Sequence, residues 1–206
     1  ANLSIVNISA THGSIVDNHN ATFTYTPDAN YNGAANLSFG ISDGQLTSAS
    51  SALINIAPVN DAPVAAPVTL AAVEDTSVTF STADLLGASY DIDSPNLSII
   101  NISATNGIIV DNGDGTFTYT PDANYNGAAA LSFDVFDGEL ASHSSAAINI
   151  AAVNDAPVAA PVVLAAIEDT AVTFSTADLL GSSYDIDSAN LSIVNISATH
   201  GSIVDN

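Results

Sequence analysis

The stretch "TFTYTPDANYNGAAALSF" at residues 116–133 reads as two β-strands joined by a polar loop. In its first half polar and apolar residues alternate with the period of two that places Phe117 and Tyr119 on one face of a strand. After Pro121 and the loop that ends at Gly127, the alternation resumes and carries Leu131, Phe133 and Val135 to one face. Short runs rich in aromatic and β-branched residues, with no sustained helical period, predict an all-β fold. The same stretch stands at residues 22–39 with one change, Asn36 in place of Ala130.

The two copies lie 94 residues apart (116 − 22), and other blocks keep that offset. "VNDAPVAAPV" begins at Val59 and again at Val153. "NLSIVNISATHGSIVDN" begins at Asn2, its variant at Asn96, and the first version returns at Asn190, so that residues 1–18 and 189–206 are identical. A fixed period predicts tandem units. Cut at the proline joints, the chain holds the C-terminal part of a first repeat (1–58), a complete repeat (59–152) and the N-terminal part of a third (153–206). With neither end at a joint, and without a methionine, the chain is expected to be an excerpt of a longer polypeptide.

Seven strands are expected in the complete repeat: A at 67–74, B at 77–81, C at 96–104, D at 107–111, E at 116–121, F at 129–136 and G at 144–152. Alternation turns Val78, Phe80, Ile148 and Ile150 inward along with the residues already named. "TNG" and "DNGDG" supply tight turns around strand D, and Ala83 to Leu86 fit one helical turn. Such a succession matches tandem β-sandwich repeats of immunoglobulin-like or cadherin-like kind. Residues 1–58 then carry strands C to G and residues 153–206 strands A to D; both are expected to fold as in the complete repeat. Either they belong to a continuous array, or the tail of one copy completes the head of the next by strand addition.

Twenty-two Asp and Glu stand against no Lys or Arg, a formal net charge of −22. Apart from four histidines, nothing inside the chain can neutralise a carboxylate, so the balancing charge comes from bound divalent cations or a salty medium. Binding to nucleic acid is disfavoured. No apolar run approaches the ~20 residues of a membrane span, and no direct membrane insertion is expected. Without cysteine there is neither a disulfide nor a thiolate-held metal. An apolar content of 47% supports real cores despite the charge.

The marks "VNDAP", "EDT", "ADLL", "DIDS", "FTYTP", "YNG" and "FDG", in this order at a period of 94, resemble the tandem-95, cadherin-like repeats of very large bacterial surface adhesins. The resemblance covers the whole chain. It implies an extracellular array at the bacterial cell surface, rigidified by calcium (Ca2+), that holds a distal binding domain away from the cell.

Strand direction leads to the same ion. If successive strands run up and down, the A–B turn and E–F loop of one repeat meet the following joint, where the next repeat brings its B–C and F–G loops. The second joint then gathers Glu74, Asp75, Asp122, Asn154, Asp155, Asp185 and Asp187. The first gathers Asp28, Asn60, Asp61, Asp91, Asp93 and Asp137, and Glu168 and Asp169 of the third copy of "EDT" form the same kind of turn. Carboxylates so crowded call for cations, and an all-oxygen donor set selects Ca2+ over zinc or copper.

Other motifs have plainer readings. "DNGDG" lacks the final glutamate of a calcium-binding EF-hand loop and reads as a turn. Asp84 and Asp178 are expected to cap the helical turn. His12, His19, His143 and His200 read as isolated surface residues, and the Asn-x-Ser triplet at Asn96 as a chance pattern. Acid pairs duplicated at every joint suit structure better than an active site, so no enzymatic activity is expected. The expected function is a structural extender of an adhesin or extracellular fibre, whose partners are neighbouring repeats or copies. Alternatives are a glycan- or protein-binding sandwich and an accessory domain of a secreted polysaccharide-degrading enzyme.

Overall fold

Residues up to 58 form five antiparallel strands: β1 (Ser4–Ala10), β2 (Gly13–Asp17), β3 (Phe23–Pro27), β4 (Gly33–Ser42) and β5 (Thr47–Ile56). They pair as a three-stranded sheet in the order β1-β4-β5 and a hairpin β2-β3. This computed structural model describes residues 2–204.

The expected strands A and B are β6 (Val68–Val73) and β7 (Val78–Ser81), followed by the one-turn helix α1 (Thr82–Leu86). Strands C to G are β8 (Ser98–Ala104), β9 (Gly107–Asp111), β10 (Thr116–Pro121), β11 (Gly127–Phe136) and β12 (Ala141–Ala151). One sheet has the order β7-β10-β9 and the other β6-β12-β11-β8, a β-sandwich arrangement. Within the second sheet β6 runs parallel to β12, from Ala146 opposite Val68 to Ala151 opposite Val73.

The chain divides into two units. The first comprises the residues through Pro67, Leu86–Asn101 and Phe133–Ser144; the second comprises Val68–Leu85, Ile102–Ser132 and the residues from Ser145 on. Ile99, Phe133 and Val135 are buried in the first. In the second Phe80, Phe117, Tyr119, Leu131, Ile148 and Ile150 are buried. Of the residues expected to face inward, Val78 alone stays partly exposed.

A tyrosine anchors strand E in each copy. The Tyr119 hydroxyl donates to the Asn106 carbonyl at 2.7 Å, and the Tyr25 hydroxyl to the His12 carbonyl at 2.6 Å. This is why glycine follows Asn106: a Cβ on Gly107 would stand 2.8 Å from the Tyr119 ring and 2.5 Å from the Thr120 carbonyl oxygen.

Residues 153–204 depart from expectation, for they contain no strand. Their regular element is the one-turn helix α2 (Thr176–Leu180), beside an isolated bridge between Val158 and Tyr184. In the preceding copy β6 pairs with β12, β7 and β9 with β10, and β8 lies beside β11. Strands A to D therefore pair with E, F or G and never with one another, and 153–204 contain none of those partners.

Candidate metal centre at the proline joints

The first joint lies within the first unit. Its Asp61 N–H donates to Asp93 Oδ2 at 2.8 Å, and Asn60 Nδ2 donates to Asp137 Oδ2 at 2.8 Å. Both acceptors are pre-oriented by local turns. Asp91 Oδ1 accepts the N–H groups of Asp93 and Ser94, each at 2.7 Å, which folds "DIDS" into a tight loop. Asp137 Oδ1 accepts those of Glu139 and Leu140 at 2.6 and 2.7 Å, which closes the hairpin between β11 and β12. The Asn60 amide, then these N–H groups, hold the Asp137 carboxyl below its ordinary value, because hydrogen bonds to the charged form favour it. One oxygen is left over: Asp91 Oδ2 is buried with no hydrogen-bond partner.

The second joint lies within the second unit and repeats the pattern. The Asp155 N–H donates to Asp187 Oδ2 at 2.6 Å, and Asp185 Oδ1 accepts from Asp187 and Ser188 at 2.9 and 2.8 Å. The turn between β6 and β7 adds two carboxylates. Glu74 is 1% exposed and accepts the Val153 N–H at 2.5 Å and Asn126 Nδ2 at 3.2 Å. Asp75 Oδ1 accepts the Asn124 N–H at 3.0 Å. Here the leftover oxygen is Asp155 Oδ2, buried and without a partner. Desolvation, and then the charges of Asp75, Asp187, Glu74 and Asp185, push the Asp155 carboxyl above its ordinary value.

Asp28 and Asp122 stand in the loops after β3 and β10, where their carbonyls accept from Tyr31 and Tyr125 at 3.2 and 3.1 Å. Their charges act on the Tyr25 and Tyr119 hydroxyls, raising both after desolvation. Asn154 Nδ2 donates to the Asp155 carbonyl at 2.9 Å. Glu168 and Asp169 lie in an exposed turn whose Asp169 φ of 60° matches the 58° of Asp75. Asn124 and Asn126 were not expected at the joint. Their signal in the sequence is the "DANYNG" loop facing "EDT".

Among the described residues, no three His, Cys, Asp or Glu side chains converge closely enough to hold a metal ion. Several of the joint carboxylates, Asp75, Asp91, Asp93, Asp137, Asp185 and Asp187, accept backbone N–H groups instead. Two observations fit Ca2+ nevertheless. A buried carboxylate oxygen without a partner is costly, and each joint carries one. The donors are all hard oxygens, of which calcium takes six to eight.

The remaining motifs have local partners of their own. Gly113 and Thr116 N–H groups close the "DNGDG" turn onto Asp111 and Asp114. Asp178 and Ser175 form a reciprocal capping box on α2, and Asp84 with Ser81 makes the same bonds at α1. His143 is not isolated: its Nδ1 lies 3.1 Å from Asp134 Oδ1, while Asn101 Nδ2 donates to Asp134 Oδ2 at 2.8 Å. Adjacent strands bring this trio together across sequence separations that a linear reading does not connect. His12 stacks on Tyr31 with ring centroids 4.0 Å apart, and His19 Nδ1 lies 3.6 Å from Asp17.

A family model of the cadherin-like domain matches residues 1–57, 59–151 and 153–206, and the chain belongs to this family. Cadherin-like domains generally bind calcium and are typically extracellular. Among solved structures, domains EC1-2 of human protocadherin-24 are 14% identical, covering 72% of this chain and 81% of theirs at a TM-score of 0.48. Protocadherin gamma B7 extracellular domains 1–4 are 12% identical, with 76% and 44% covered and a TM-score of 0.40. An endo-fucoidan hydrolase of glycoside hydrolase family 107 is 20% identical at a TM-score of 0.36; the match covers 77% of this chain but spans 27% of the hydrolase. No curated protein sequence matches the chain. Among the described residues no helix is long and apolar enough to cross a membrane.

Proposed function

We propose that the chain is an extender segment of a bacterial cell-surface adhesin of the tandem-95 kind, stiffened by Ca2+ at its proline joints. The observation that carries this reading is the pair of buried, unpartnered carboxylate oxygens, Asp91 Oδ2 and Asp155 Oδ2, one at each joint. At the second joint Glu74, Asp75, Asp155, Asp185 and Asp187 would hold the ion; at the first, Asp61, Asp91, Asp93 and Asp137. The ion supplies the positive charge that the sequence lacks. Between Pro58 and Pro63 the linker already has few free backbone angles, and direct bonds from its N–H and amide groups reach the following loops. Ion bridging converts that partial restraint into stiffness, so the function is mechanical and no catalysis is assigned. The partners are neighbouring repeats or further copies in a fibre.

Small-angle scattering and thermal melting with excess calcium and after chelation test the reading. Chelation is expected to lower the melting temperature and broaden the distribution of particle dimensions, because an ion bound by the folded state alone stabilises it by mass action. An unchanged melting curve and scattering profile would sink the calcium reading.

A further inference from the structure

We propose that the Asn126–Gly127 peptide is a self-modification site, whose asparagine deamidates by intramolecular cyclisation and so delivers a further carboxylate to the second joint, against Glu74. The inference rests on the calcium reading, because a carboxylate added there is stabilised only beside a cation.

In an Asn-Gly pair the backbone nitrogen that follows the asparagine can reach its side-chain carbonyl carbon, since glycine carries no Cβ to hinder the approach. The complete repeat has three such pairs, at Asn106, Asn112 and Asn126, and the structure separates them. Asn106 is partly buried, and its amide donates to the Tyr125 hydroxyl at 3.0 Å and the Ala128 carbonyl at 3.1 Å. The Asn112 amide donates to the Thr116 and Thr118 hydroxyls at 2.9 and 3.0 Å. The N–H that would have to attack it, on Gly113, is held by Asp111 Oδ1 at 2.8 Å. Asn126 is exposed and precedes β11, and among the described residues its amide makes one bond, to Glu74 Oε2 at 3.2 Å. Gly127 has a φ of 121°, which side-chain-bearing residues rarely adopt, so the conformation itself keeps glycine after this asparagine.

The step needs only water. Base in solution takes the Gly127 N–H proton and the nitrogen attacks Asn126 Cγ; the N–Cγ bond forms, the Cγ–Nδ2 bond breaks, and ammonia leaves with a proton returned by solvent. Water then opens the cyclic imide at either carbonyl, giving aspartate or isoaspartate. One amide and one water become one carboxylic acid and one ammonia, with no change of oxidation state.

The product stands among acids. Glu74 is 1% exposed and also accepts the Val153 N–H, and Asp155, whose Oδ2 is buried without a partner, shares the joint. Without a cation, deamidation replaces a donor to Glu74 by a like charge, and the chain has no Lys or Arg to relieve it. With Ca2+ it adds a hard oxygen and a negative charge, and ligand charge is one of the quantities that set affinity in such sites. The modified joint is therefore firmer with calcium and weaker without it.

The test is ageing of the full 206-residue chain at mildly alkaline pH, then cleavage at acidic residues and mass spectrometry with isoaspartate detection. Asp111, Asp114 and Asp122 lie between the three pairs, so each is read on its own peptide. The Asn126 peptide should gain the mass of an amide-to-acid exchange several-fold faster than the other two. In calorimetric titration the aged chain and Asn126→Asp should each bind calcium about tenfold more tightly than fresh protein, and after chelation both should melt lower. Asn126→Gln keeps an amide for Glu74 but cyclises slowly, and it should age with no gain in affinity. Conversion at Asn126 no faster than at Asn106 and Asn112, or aged and Asn126→Asp chains with the calcium affinity of fresh protein, would each overturn the inference. Calcium binding by fresh protein that Asp155→Ala abolishes, beside an Asn126 that stays intact on ageing, would overturn it while leaving the calcium reading standing. Absence of calcium binding before and after ageing would overturn both.

Discussion

Residues 2–58 and 153–204 are similar in length and drawn from the same repeated sequence, yet the first segment forms five strands and the second forms none. Local structure does not separate them. In 153–204 the Val158–Tyr184 bridge, with N···O distances of 2.7 and 3.1 Å, copies the Val64–Tyr90 bridge to the same distances. The Ala160 N–H reaches Ser183 Oγ at 2.9 Å as Ala66 reaches Ser89, and α2 carries a complete capping box. The segment thus keeps these local contacts of the complete repeat. It lacks only ladders, because its A to D strands pair with E, F and G. Residues 2–58 contain C with F and G, and D with E, so their ladders close internally. Strand propensity is expressed only where a partner is within reach.

The largest effect is expected from supplying that partner. Extending the chain beyond Asn206 with a copy of residues 113–152, which supplies strands E to G, should convert 162–175 into strands. Hydrogen exchange would read this as a rise in protection of those amides from near zero towards the global stability. Continued fast exchange would show that partner absence is not the cause.

Core truncation comes next. Phe133→Ala removes a fully buried ring and should cost about 3–5 kcal/mol in denaturant unfolding. Phe39→Ala, its counterpart on β4, is only partly buried and should cost clearly less. Equal costs would mean that the first segment is covered in solution.

At the second joint Asp155→Ala should weaken calcium binding in calorimetric titration more than Asp114→Ala, which alters a hairpin turn. Acidity adds a sign. Asp155 is shifted upward, so in calcium-free solution its contribution favours folding below the ordinary carboxylate value and is lost as pH rises through the folded value. Asp155→Asn should therefore raise the melting temperature at neutral pH without calcium, have little effect in strong acid, and lower it at neutral pH with calcium. Asp137 is shifted downward, so its contribution is present above the ordinary value and lost as pH falls through the folded one. Asp137→Asn should destabilise at neutral pH, the opposite sign.

The smallest effect is local. Ser175→Ala removes the cap of α2 and should cost about 1 kcal/mol of helix stability, seen as faster exchange at Asp178 and Leu179 with no change at the joint.

The alternation in "TFTYTPDANYNGAAALSF" was enough to assign strands β10 and β11 and their buried faces, because side-chain direction in a strand depends only on the count along the chain. The offset of 94 was equally legible, and so was the grouping of "NDAP" and "DIDS" at both joints and of "EDT" at the second, since the motifs recur at that fixed offset. Three things were not. The pairing that leaves 153–204 without strands depends on which strands are neighbours, a long-range fact with no local signature. The engagement of Asn124 and Asn126 with the Glu74–Asp75 turn depends on two loops some fifty positions apart meeting at one end of the fold. Which buried carboxylate oxygen at each joint lacks a proton donor is decided by burial and by which N–H groups the neighbouring loops present, and those are set only when the strands have closed around them.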